Sequence, residues 1–244
     1  MTALRSAIFN IVFYVNLGLF LVLGSEFFLT PRKWAVRALQ AWGKSALWWM
    51  KVIVGAHIEV RGIKHIPQGA ALVAGKHQSL WETFAILPCL DDPAMVLKKE
   101  LSYIPFFGWF IHKFKMIAVQ RGAGPAALRN LVKRAQEEKA RGRQIVIMPE
   151  GTRRGVDDPP DYKPGAAALY TSLGLPCVPF ALNSGLFWPR RKFLRRPGTI
   201  IIEFLPAIPA GLPRKEFQAR LQEAIETATA RLVAEGRQSL TAYK

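Results

Sequence analysis

The sequence predicts an α/β fold: a mixed, largely parallel central sheet flanked by helices, preceded by an N-terminal two-helix membrane anchor. Three observations lead there. After Gly55, short β-branched runs alternate with helical stretches, the order that builds parallel strands with crossover helices. Before it lies a stretch without a charged residue, from Ser6 to Ser25. Half of the 244 residues are hydrophobic, yet 34 lysines and arginines face only 17 acids. That balance excludes general disorder, and with a mean hydropathy of +0.12 it points to membranes and polyanions.

The twenty residues Ser6–Ser25 would span about 30 Å as a helix, the thickness of a bilayer core. A signal peptide competes, because Arg5 precedes the apolar run. The length of the run and the continuation Gly24-Ser25-Glu26-Phe27-Phe28, with no small-x-small cleavage site, favour a retained helix. From Arg32 to about Val54, bases interleave with Trp34, Trp42, Trp48 and Trp49, as in an amphipathic helix at headgroup level. Bases flank the first segment on both sides, so positive-inside counting gives no clean crossing. A pair of helices dipping into one leaflet from the cytoplasmic face of the cell membrane accounts for this better, with a buried core hairpin as the alternative. Residues 1–54 are therefore read as a membrane-associating segment and residues 55–244 as the α/β domain.

Within that domain, strands are expected near Ile58–Arg61, Ala70–Gly75, Met95–Lys98, Met116–Val119, Gln144–Met148, Cys177–Leu182 and Thr199–Phe204. Helices are expected near Leu80–Leu87, Ile104–Phe114, Pro125–Arg141, Gly165–Leu173 and Arg214–Ala234. The last should start at Pro213 and stop at Gly236. Cys89 and Cys177 match no zinc or redox spacing, which excludes a disulfide scaffold.

Three constellations follow apolar strands, where α/β layers bind ligands. In Lys76-His77-Gln78-Ser79-Leu80-Trp81-Glu82, a carboxylate one turn into a helix can fold back on the His77 imidazole, fixing its tautomer and stabilising its protonated form. The same residues also read as a capping box, with Ser79 as N-cap and Glu82 at the third helical position. A His-x4-acid pair arises by chance about a quarter of the time in such a chain. Glu150-Gly151-Thr152-Arg153 offers an arginine fork and backbone amides to a phosphate or carboxylate, and its chance expectation is only about 0.003. Val119-Gln120-Arg121 supplies another arginine, and Lys98-Lys99 and Lys163 add bases at further turns; singly, each reads as surface charge. The sequence has no Gly-x-Ser-x-Gly, His-Glu-x-x-His or Gly-x-Gly-x-x-Gly. Gly43-Lys44-Ser45 has Ala38 where a P-loop needs its first glycine, so serine hydrolysis, zinc chemistry and nucleotide hydrolysis are disfavoured.

Taken in order, these blocks resemble the glycerophospholipid acyltransferase family, in particular its bacterial 1-acyl-sn-glycerol-3-phosphate acyltransferase type. His77 and Glu82 match its His-x4-acid block, Glu150 to Arg153 its Glu-Gly-Thr-Arg block, and Val119-Gln120-Arg121 its arginine block. Leu175-Pro176-Cys177-Val178-Pro179, with Asn183-Ser184-Gly185 behind it, matches the proline-centred one. Two residues depart from the family's pattern: Glu82 stands where aspartate is usual, and Lys76, a cation beside His77, stands where asparagine is common.

The resemblance implies acyl transfer from an acyl thioester, acyl-CoA or acyl-ACP, to the free hydroxyl of lysophosphatidic acid, giving phosphatidic acid. His77 would be the catalytic base and Glu82 its orienting partner. Arg121 and Arg153, with Lys99, would hold the acceptor phosphate. Glu150, Gly151 and Thr152 complete the substrate-binding set, with amides around Gly151 near the oxyanion. No cofactor and no metal are implied. The same chemistry on another lysolipid, such as lyso-ornithine lipid, is the near alternative. A lipid hydrolase would release fatty acid without an acceptor. A non-catalytic basic module on membrane or nucleic acid is a further class, but no nucleic-acid-binding motif supports the latter partner. The stretch Arg190–Arg196 holds five bases in seven positions and suits an anionic membrane surface, the phosphates of coenzyme A, or acyl carrier protein.

Overall fold

The computed structural model describes residues 2–120, 122 and 124–242. The apolar N-terminal run forms helix α1 (Thr2–Leu23). A 3-10 turn (Gly24–Leu29) and Pro31 lead into α2 (Arg32–Trp49), which a π turn extends through Val54. Helix α2 buries Ala35, Val36, Leu39, Gly43 and Ala46, a stripe at helical spacing. Helix α1 is apolar on all sides: Phe9 and Phe13 are buried while Leu4, Ile8, Ile11, Val15, Leu19 and Val22 are exposed. Together with the following turn it is the one described helix long and apolar enough to cross a membrane. The two helices are joined midway by the Asn16 amide donating to Ser45 Oγ at 2.9 Å.

The remaining elements are β1 (Ala56–Arg61), β2 (Ala71–Gly75), α3 (Trp81–Ala85), β3 (Pro93–Lys98), α4 (Phe107–Lys113), β4 (Ile117–Val119), α5 (Gly124–Ala140) and β5 (Gln144–Ile147). They continue with α6 (Gly165–Leu173), β6 (Cys177–Leu182), α7 (Ser184–Phe187), β7 (Gly198–Phe204) and α8 (Arg214–Ala242). The strands make one sheet in the order β1-β7-β6-β2-β5-β3-β4. Among the described residues, the strands pair in parallel except β6 with β7. Strands β2 and β6 are buried on both faces, which explains why they read as unbroken apolar runs rather than alternating ones.

Alternate residues feed two cores. Val73, Val146 and Val178 face α1, α2, α3 and α4. Leu72, Ala74, Ile145 and Ile147 face α5, α6 and α8. The inner face of the N-terminal hairpin thus belongs to the same core as the sheet. Polar ties reinforce it: Arg32 forks onto Asp92, the Gln40 amide donates to Leu90 O at 2.7 Å, and Lys113 Nζ donates to Phe28 O at 3.0 Å.

Helix boundaries depart from expectation where local chemistry intervenes. The helix expected from Ile104 begins at Phe107, because Pro105 biases the residue before it toward extended backbone. The one expected to reach Leu87 ends at Ala85 and passes into a 3-10 turn at Pro88. Helix α8 does not stop at Gly236 but continues to Ala242. A Cβ at Gly236 would lie 2.7 Å from Leu186 Cδ1 and 2.9 Å from Asn183 Nδ2, so this glycine permits close packing rather than ending a helix.

Candidate active site

Register places the site. Ala71–Ala74 pair with Gln144–Ile147 in parallel, so the segments leaving β2 and β5 emerge side by side at the carboxyl edge of the sheet. The first carries Lys76 and His77, the second Glu150 to Arg153.

His77 Nδ1 lies 2.8 Å from Glu82 Oε1, with the carboxylate fully buried and the imidazole 12% exposed. The same oxygen accepts the backbone N–H groups of Gln78 and Ser79, both at 2.7 Å, and Trp81 N–H donates to Ser79 Oγ at 3.2 Å. Helix α3 starts at Trp81 with Leu80 rather than Ser79 at the N-cap, one residue later than the capping box predicts, and the Glu82 carboxylate holds both the Ser79 amide before the helix and the imidazole. Glu82 Oε2 accepts from Ser184 Oγ at 2.8 Å. A carboxylate accepting on both oxygens is locked in place. Because Glu82 accepts from Nδ1, the neutral imidazole carries its proton there and presents a lone pair at Nε2.

The loop after β5 is stitched to the histidine. Arg154 N–H donates to His77 O at 2.7 Å, and His77 N–H to Glu150 Oε2 at 3.3 Å. Gly151 turns the loop at φ +64°, a left-handed conformation that favours glycine. Its N–H donates to Met148 O at 2.9 Å, so this particular amide is committed within the turn and is not a donor to an oxyanion.

His77 lines a cleft of about 1140 Å³ with apolar walls, among them Phe13 and Leu17 of α1, Leu39 and Trp42 of α2, and Phe84 and Phe110. Glu150, Gly151 and Thr152 border it, as do the cations Lys98, Lys163 and Arg214. The volume exceeds that of an ordinary ligand pocket, and its lining suits long hydrocarbon.

The other sequence-derived candidates are placed unequally. Glu150 does not offer its side chain to a substrate: the carboxylate is fully buried and paired with Lys76 Nζ at 2.9 Å. Burial pushes that carboxyl above the usual carboxylate range, against the pull of Lys76 and the His77 amide. Lys99 is exposed on the turn after β3 and lines a separate cavity of about 300 Å³ with His112 and Arg134, not the cleft. Arg153 is half-buried, its carbonyl accepts from Arg190 at 2.8 Å, and it is not among the residues that wall the cleft. Arg121 lies outside the described residues. The cation of Lys76 is paired with Glu150 and Glu226.

Sequence reasoning missed Ser184 as the second support of Glu82, and Glu226 and Tyr162 as partners in the Lys76 cluster. Ser184 stood within a quoted block. Glu226 sits on a mixed helical surface and carried no local signal.

Comparison with known proteins identifies the family and the fold. The acyltransferase family profile matches residues 57–183. The chain is 39% identical over 172 residues to a 1-acyl-sn-glycerol-3-phosphate acyltransferase of Pseudomonas aeruginosa, covering 70% of this chain and 67% of that protein. It is 28% identical over 200 residues to the lyso-ornithine lipid O-acyltransferase of the same organism, covering 74% and 76%. The crystal structure of the 1-acyl-sn-glycerophosphate (LPA) acyltransferase PlsC from Thermotoga maritima superposes with a TM-score of 0.79 at 20% identity, over 95% of this chain and 99% of that one, and so shares the fold. The chain belongs to the acyltransferase family.

Proposed function

We propose that the chain transfers an acyl group from an acyl thioester to the free hydroxyl of lysophosphatidic acid, giving phosphatidic acid. The observation that carries this is the His77–Glu82 pair at the wall of a large apolar cleft. His77 Nε2 removes the hydroxyl proton as that oxygen attacks the thioester carbonyl. Glu82 stabilises the resulting imidazolium. The tetrahedral intermediate collapses with cleavage of the C–S bond, and the imidazolium proton passes to the departing thiolate. Proton and leaving group both balance within the site, and the thioester is already activated, so the reaction asks for no metal or cofactor. The apolar walls take the acyl chains and keep water from competing with the acceptor. For the acceptor phosphate the candidates at the cleft border are Lys98, Lys163 and Arg214; Arg153, set back from the cleft wall, and Arg121, outside the described residues, are kept on the family resemblance alone.

The same reading places the protein at the cytoplasmic face of the cell membrane. The exposed ridge of α1 lies in the leaflet, and Arg191, Lys192 and Arg196 meet anionic headgroups. Phe193 and Leu194 are exposed among those bases, and Arg195 ties the loop to α1 through Asn10 Oδ1 at 3.0 Å. Coenzyme A and acyl carrier protein remain alternative carriers of the acyl group. The lyso-ornithine lipid relative keeps a second acceptor in view.

The test is thiol release from acyl-coenzyme A by purified protein in detergent, with and without lysophosphatidic acid. Release that depends on the acceptor and is lost in His77→Ala is expected. Release without acceptor would mark a thioesterase, and turnover with a lyso-ornithine lipid but not lysophosphatidic acid would reassign the acceptor.

A further inference from the structure

Directly before the histidine, Lys76 is a lysine with a 2% exposed side chain. Burying an ammonium is costly unless every N–H finds a partner. Its partners are Glu150 Oε1 at 2.9 Å and both oxygens of Glu226, at 2.8 and 3.0 Å. These two carboxylates, one from the loop after β5 and one from α8, balance the ammonium charge inside the protein and turn it toward themselves. Tyr162 donates its hydroxyl to Glu226 Oε1 at 2.9 Å, and burial raises the phenol's pKa so that it stays a donor. Glu150 has its second oxygen on the His77 N–H.

The contacts form one chain: Tyr162 and α8 hold Glu226, Glu226 holds Lys76, Lys76 holds Glu150, and Glu150 holds the backbone of His77. The residues from Lys76 to Gln78 lie outside helix and strand; the Lys76 N–H keeps one bond to Phe180 O of β6 at 3.3 Å, and His77 beyond it has no ladder partner. His77 is instead pinned from three sides, at Nδ1 by Glu82, at its N–H by Glu150 and at its carbonyl by Arg154. Without Lys76, two carboxylates would face each other in a buried site and separate, or one would take up a proton. Either way Glu150 would lose its hold on the amide.

We propose that Lys76 and Glu226 are positioning residues which, through Glu150, set the backbone of His77 and so couple the C-terminal helix to the reacting end of the cleft. The proposal rests on the acyl-transfer reading of His77. Its test uses the full-length protein in detergent with acyl-coenzyme A and lysophosphatidic acid, comparing wild type, Lys76→Met, Glu226→Gln and the double variant. Displacing the base by a fraction of an ångström lowers kcat on the order of 10- to 100-fold in Lys76→Met and less in Glu226→Gln, with the acceptor KM unchanged. The double variant is no worse than Lys76→Met, because Glu226 acts through Lys76.

A raised acceptor KM with kcat preserved would make Lys76 a substrate ligand and overturn the proposal, as would additive effects or unchanged kinetics. If Lys76→Met does not fold, Glu226→Gln decides alone, since Glu226 is 28% exposed and its amide keeps the shape. If the wild type shows no acceptor-dependent turnover, the acyl-transfer reading fails, while hydrogen exchange still judges the positioning. A His77 amide that exchanges about 10-fold faster in Glu226→Gln supports it, and an unchanged amide overturns it.

Discussion

Replacing Glu82 by glutamine separates the electrostatic role of this side chain from its structural one. The carboxylate accepts four hydrogen bonds: from His77 Nδ1, Gln78 N and Ser79 N on Oε1, and from Ser184 Oγ on Oε2. Glutamine can keep its carbonyl oxygen toward the first three and turn its NH2 toward Ser184, whose hydroxyl can rotate to accept. The fold then loses on the order of 1 kcal/mol. On the proposed mechanism, catalysis loses the charge that faces the imidazolium. With charge centres about 4 Å apart and an effective dielectric of about 20, that attraction amounts to about 4 kcal/mol, or about 10³ in rate. We therefore expect Glu82→Gln to keep its acceptor KM and melt within a few degrees of the wild type, while kcat falls about 1000-fold in the thiol-release assay. Glu82→Ala, which strands four donors, should instead be strongly destabilised. A Glu82→Gln variant that is folded and retains more than about a tenth of its kcat would refute the assignment of Glu82 as the electrostatic partner of the base.

Other perturbations follow from the same structure. Gly236→Ala should lower the melting temperature despite alanine's helix preference of about 1 kcal/mol, because its Cβ meets Leu186 and Asn183; a stabilised variant would show that contact to be slack. Burial raises the Asp92 carboxyl, but Arg32 and Arg143 outweigh it and hold it below the ordinary carboxylate range. A depressed pKa gives stability that is present above the unfolded value of about 3.9 and is lost as pH falls through the folded one. Asp92→Asn should thus cost about 1–3 kcal/mol in urea unfolding at pH 7, and an equal deficit well below pH 3 would rule out the ion pairs as its source. Changing Arg191, Lys192 and Arg196 to glutamine should weaken binding to anionic vesicles by up to about 1 kcal/mol per charge and leave neutral vesicles unaffected; unchanged binding would exclude this loop from the membrane contact.

What the sequence disclosed and what it withheld divide by range of contact. His77 and Glu82 were legible because five positions suffice to bring a carboxylate back over a strand end, and the strands themselves announce their carboxyl ends. Ser184 meets Glu82 across 102 positions, and Glu226 meets Lys76 across 150, so only the fold assembles them. The fully buried Glu150 looked like a turn carboxylate open to ligand, since no local pattern reveals that a neighbouring lysine is also buried and needs it. Gly236 misled for a related reason: a glycine near a helix end has two physical uses, and the choice between them depends on what packs against it. The start of α4 was set by Pro105, a signal present in the sequence but outweighed there by the apolar run around it.

Helix α1 has two working sides. Phe13 and Leu17 border the cleft, while Ile11, Val15 and Leu19 on the other side are more than half exposed. A helix with its side chains is about 10 Å across, so with α1 in a leaflet, as proposed, hydrocarbon outside and hydrocarbon inside would be separated by a single partition. A lipid tail leaving a bilayer for the cleft has only that thickness to pass, and none of the journey need run through water. It follows that the hairpin cannot be trimmed off to leave a soluble enzyme. Removing it would open the reaction chamber along one whole wall and strip the core facing β2 of Phe9, Phe13, Val36 and Leu39 together.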